Sequence, residues 1–149
     1  MTGAGGARGN PDGPSKGQRA LFTFLGYSLV GSFLAGFATF AALVLAPPLQ
    51  LGALIPADMP NAGAAAIAAF VWAAIPASFA GTVLALFVLL RGGFPWIAAA
   101  AAGGFAFMLA AIAMPLPGGL ALTPLTALAA FIAIGVRSGL VSGGILSHQ

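Results

Sequence analysis

The sequence predicts an all-α integral membrane protein, a bundle of four transmembrane helices with N- and C-termini cytoplasmic. Three observations predict it. Charged residues make up 5% of the 149 and hydrophobic ones 60%, whereas soluble domains carry about 25% charged residues. Three long stretches hold no charge at all, and all five Lys and Arg residues fall on one side of the resulting topology. A chain this apolar cannot cover a water-facing surface with polar groups. It is too hydrophobic for disorder, and its 22 Gly do not recur at every third position as in collagen.

The uncharged runs place the helices. Ala20 to Ala57 lacks charge over 38 residues, Met59 to Leu90 over 32, and Gly92 to Val136 over 45. Crossing the hydrocarbon core takes about 20 apolar residues, so the third run has room for two crossings. Pro115-Leu116-Pro117-Gly118-Gly119 supplies the turn between them. The expected helices are 20–46, 63–90, 94–114 and 119–141, within a transmembrane domain over 20–143. A flexible basic Gly/Pro-rich tail over 1–19 precedes it, and a short C-terminal tail over 144–149 follows. No run alternates with period two, so a transmembrane barrel is not expected. The first stretch far exceeds the roughly 7–15 apolar residues of a signal peptide and is read as a retained helix.

Orientation follows from the few charges. Arg8, Lys16 and Arg19 precede the first helix, Arg91 lies between the second and third, and Arg137 falls near the end of the fourth. The loop Pro47–Ala62 carries only Asp58, and the Pro115–Gly119 turn carries nothing. The positive-inside rule makes the basic side cytoplasmic. Cations in the tail read as topogenic charge and as attraction to anionic lipid. Arg137 is expected to snorkel to the interface from a helix beginning at Gly119, because a buried guanidinium needs an anionic partner and the helices offer none. The alternative start, Thr123 as N-cap with Pro124 at the first helical position, leaves Arg137 about 20 Å along the helix.

Each helix offers a small-residue face. On the first, Phe22, Leu29, Phe33, Phe37 and Phe40 share one side and Ser28, Gly31, Ala35, Ala38 and Ala42 the other. The second sets Ala73, Ala77 and Gly81 against Ile75, Phe79, Leu86 and Leu90, with Pro76 expected to kink it. Ala98–Ala102 and Gly103-Gly104 make the third small on nearly every side, and the fourth ends with Gly135, Gly139 and Gly143 four residues apart. Lipid is as apolar as Leu, so helices associate in it through close backbone packing. Such faces predict a tight bundle, with more small surface than one copy needs. Trp96 at the start of the third helix and Trp72 on the second are expected to be interfacial anchors. The four-proline loop Pro47–Ala62 cannot form a long helix and is expected against the outer surface.

The missing residue types limit the chemistry. There is no Glu, no Cys and no His inside a helix; Asp12, Asp58 and His148 lie in the tail, a loop and the C-terminal end. General acid–base work, thiol nucleophiles, iron–sulfur and haem ligation all need groups the helices lack. No catalytic residues, no metal ligands and no covalent cofactor are expected, cofactor-binding residues are unassigned, and no nucleic-acid partner is expected. The Gly-rich stretch Gly3–Gly9 does not complete a dinucleotide fingerprint and follows no strand. Proton-coupled four-helix exporters of the small multidrug type carry an intramembrane acid, which is absent here.

The segment Gly31-Ser32-Phe33-Leu34-Ala35-Gly36-Phe37-Ala38-Thr39-Phe40 resembles the Gly/Ser/Phe/Thr-rich helices of small fluoride channels over that one segment, without a neighbouring polar Asn. A neutral-solute or anion pore lined by Ser28, Ser32, Thr39, Ser78 and Thr82 is a separate expectation; the same hydroxyls can instead bond their own backbone.

The leading functional expectation is a non-catalytic accessory, scaffold or assembly subunit of a larger membrane complex, partnered by other integral subunits and by lipid. A small homo-oligomeric channel or transporter is the second. The third is a binder of an apolar ligand such as quinone, carotenoid or lipid along the Phe22–Phe40 face. A composition dominated by Ala and Gly, with four Arg to a single Lys, points to a GC-rich bacterial genome and so to a multi-pass protein of the bacterial inner membrane.

Overall fold

A computed structural model describes residues 13–50, 61–115 and 122–146. The described residues are helical without strands: α1 Lys16–Leu45, α2 Ala62–Arg91, α3 Trp96–Ala113 and α4 Leu122–Ser142. Each holds a segment long and apolar enough to cross a membrane, which makes the chain compatible with a multi-pass membrane protein. Arg8, Asp12, Asp58, His148, the Gly3–Gly9 stretch, most of the outer loop and the 116–119 part of the turn lie outside the described residues.

Local signals explain where the helices begin and end. α1 starts at Lys16, four residues before the expected Ala20, because Ser15 and Gln18 form a capping box. The Gln18 N–H donates to Ser15 Oγ at 3.3 Å, and the Ser15 N–H donates to Gln18 Oε1 at 2.8 Å. Asn61 caps α2 through Oδ1, which accepts from the Ala64 N–H at 2.9 Å. α3 ends where Met114 turns extended ahead of Pro115, as the proline ring requires of its predecessor. α4 starts at Leu122, so Thr123 and Pro124 lie inside its first turn. Proline is tolerated there because the first N–H groups of a helix have no carbonyl to meet.

α1 contains a π-helical turn at Gly26–Gly31. Its buried residues run Ala20, Thr23, Tyr27, Gly31, Ser32 and Gly36, so the turn ends on two adjacent buried residues where a regular helix buries one per turn. Ala42, which the sequence pattern places on the small face with Ala35, is exposed near the end of α1. The opposite side agrees with the sequence pattern: Phe22, Leu29, Phe33, Phe37 and Phe40 are all exposed.

Neighbouring helices run antiparallel and approach closely at glycines. Gly36 lies against the Ala66 carbonyl and Phe70, and Gly81 against the Phe24 carbonyl and Tyr27, so α1 and α2 nearly touch backbones. The α3–α4 crossing depends on Gly103, where an added Cβ would come within 2.6 Å of the Ala133 Cβ and 3.0 Å of the Ala129 carbonyl oxygen.

The main core gathers at one end, around Tyr27, Leu84, Val88, Phe94, Val136 and Leu140. The chain beyond α4 turns back onto it. Gly144 takes φ +71°, the Ile145 and Leu146 N–H groups both donate to the Leu140 carbonyl, and Leu146 is buried. Lys16, Arg19, Arg91 and Arg137 belong to this same end of the antiparallel bundle. The Arg137 side chain is half-buried there, with Nε donating to the Phe94 carbonyl at 3.0 Å.

Candidate functional site

Away from the packed end the four helices enclose a cavity of about 130 Å³. Small residues create the room. α1 contributes Gly31 and Ala35; α2 contributes Ala69, Ala73 and Ala77, one turn apart on one face. Gly103 and Phe107 of α3 and Leu125, Leu128, Ala129 and Ile132 of α4 close the remainder. α4 meets α1 mainly at the π-helical turn and hardly beyond it. The two helices separate past that point, and the cavity occupies the wedge and is only partly enclosed.

Three polar side chains border this apolar space. Tyr27 Oη donates to the Ala133 carbonyl at 2.8 Å, and Thr39 Oγ1 donates to the Ala35 carbonyl at 2.9 Å. Trp72 Nε1 is buried and has no acceptor. Its ring stands edge-on to Phe107 with centroids 5.3 Å apart. Trp72, expected as an interfacial anchor, turns toward the cavity. The inward turn of the small face of α2 brings the indole with it, between α1, α3 and α4. Pro76, buried four residues on, has no N–H to return to the Trp72 carbonyl, so the helical bond at this level is also missing. Trp96 is exposed at the start of α3, where the sequence places it.

The hydroxyls proposed as pore-lining do not converge. Ser32 donates to the Ser28 carbonyl at 2.6 Å and Thr82 to the Ser78 carbonyl at 2.8 Å, each within its own helix. Thr82 is exposed, and of the five only Thr39 borders the cavity. Ser28 Oγ is buried without a partner, but a serine in a helix can rotate toward the carbonyl four residues back, whereas an indole N–H cannot. Among the described residues no acidic, His or Cys side chain occurs and no cluster suited to a metal is present.

Sequence reasoning found the small faces but assigned the apolar-ligand surface to the Phe22–Phe40 side, which faces outward. The cavity lies on the opposite side of α1. The usable signal was the coincidence of Trp72, Ala73 and Pro76 on a helix whose inner face is otherwise alanine.

These features define a four-helix bundle of multi-pass type with a small apolar cavity. No protein-family model matches the chain, and neither a curated protein nor a solved structure shows significant similarity to it.

Proposed function

We propose that this chain is a non-catalytic accessory or scaffold subunit of a larger assembly in the bacterial inner membrane, with its basic end and both termini cytoplasmic. The observation that carries the reading is on α4. Gly135 and Gly139 are exposed, and a Cβ added to either would meet nothing within 4 Å. The glycines at 36, 81 and 103 are consumed by contacts inside the bundle. Those at 135 and 139 leave a flat strip on an otherwise bulky apolar exterior, of the kind that lets another helix come to backbone distance. The composition of the described helices supports the same reading, since they offer packing surface and few reactive groups.

Purification of the tagged full chain in mild detergent tests it. An integral membrane partner is expected to co-purify, and Gly135→Leu with Gly139→Leu should release that partner while helical content stays unchanged. A lone monomer from native membranes, with no co-purifying chain, overturns the reading.

A further inference from the structure

We infer that the wedge between α1, α2 and α4 is a binding site for a neutral apolar molecule bearing a carbonyl or ether oxygen, which accepts a hydrogen bond from Trp72 Nε1. Four observations combine. The cavity, about 130 Å³, is close to the roughly 150 Å³ apolar cavities that stay dry and take up benzene-sized guests. That is room for a ring head or a short run of chain, and the open side between α1 and α4 leaves an exit for the rest of a longer molecule. The walls are almost wholly apolar, and the hydroxyls of Tyr27 and Thr39 already donate to backbone carbonyls. The remaining donor, Trp72 Nε1, is buried and unpartnered.

Water alone is a poor occupant, because a buried water needs two to four polar partners and this lining is almost wholly apolar. A plain hydrocarbon would fill the space and leave the indole N–H unmade, which is costly in an apolar setting. An oxygen acceptor on an apolar body satisfies both demands. The indole cannot easily turn away to find another acceptor, since Phe107 stands against its ring. Two sources share this chemistry: the ester carbonyl of a membrane glycerolipid and the ring carbonyl of an isoprenoid quinone.

The sequence holds two tryptophans, so Trp96→Phe gives a full chain whose only indole is Trp72. Its fluorescence in detergent is titrated with three probes: a phospholipid with brominated acyl chains, a short-chain benzoquinone, and a brominated alkane lacking any acceptor. Saturable quenching is expected from at least one of the first two, and which one responds identifies the source. The alkane should bind at least tenfold more weakly. Ala73→Leu, which fills the cavity, should abolish saturation while circular dichroism stays helical. In parallel, the Trp72→Phe chain should retain at least tenfold less of the responding ligand by mass spectrometry of the purified protein. Quenching that never saturates in the Trp96→Phe chain, or that is equal for the alkane, overturns the assignment, and neither result depends on how the cavity variants fold.

Discussion

The Tyr27 hydroxyl donates to the Ala133 carbonyl at 2.8 Å, across 106 residues of sequence. The bond joins the π-helical turn of α1 to the middle of α4. The Tyr27 ring also lies 6.3 Å from that of Phe94, whose carbonyl accepts from Arg137 Nε one turn further along α4. Three parts of the chain are thereby tied at the end of the bundle where the core is densest.

Removing the phenol oxygen should cost one buried hydrogen bond. Tyr27→Phe is expected to lower unfolding stability by about 1 kcal/mol, and Tyr27→Ala, which also leaves a void, by about 3 kcal/mol or more. Reversible unfolding in mixed micelles measures both. Equal losses for the two variants would show that packing, not the bond, holds the turn.

At Gly103 the α3–α4 distance is set by the absence of a side chain, because an added Cβ would lie 2.6 Å from the Ala133 Cβ. Gly103→Ala should destabilise the bundle by about 1–3 kcal/mol. The second substitution Ala133→Gly should restore part of the loss by removing the nearer of the two clashing atoms. A double-mutant cycle on thermal stability checks it, and strict additivity would refute the contact.

Gly144 adopts φ +71° so that the chain can return Leu146 to the core. Gly144→Val should cost about 1–2 kcal/mol, and Gly144→Asn less, since Asn visits that backbone region more readily. Protease sensitivity of the C-terminal residues should rise in the same order.

The chain contains no cysteine, so a single introduced thiol reports its own position. With a membrane-impermeant maleimide on sealed vesicles, Gly17→Cys and Ser142→Cys should label from one side and Gly63→Cys from the other. Labelling of all three from the same side would break the alternating topology.

The helices themselves were legible because a hydrocarbon layer imposes one length and one polarity on each, and the uncharged runs record both. The inward facing of Trp72 was hidden for a physical reason. An amphipathic ring reads as an interface residue by default, and only the packing of Ala77 against Gly31 of α1 reveals that this face turns inward. The π-helical turn left one trace, the adjacent pair Gly31 and Ser32, both buried where regular spacing expects one. The cavity depends on how α1 and α4 diverge, which no single helix encodes.

Lys16, Arg19, Arg91 and Arg137 share one end of the bundle, and no described residue at the other end carries a charge. In a membrane polarised negative on the basic side, inverting the bundle would carry all four cations up the electrical gradient. At about 2.3 kcal/mol per charge per 100 mV, that opposes inversion by about 9 kcal/mol at 100 mV. A respiring cell's own voltage would then act as a latch on the direction in which this protein stands.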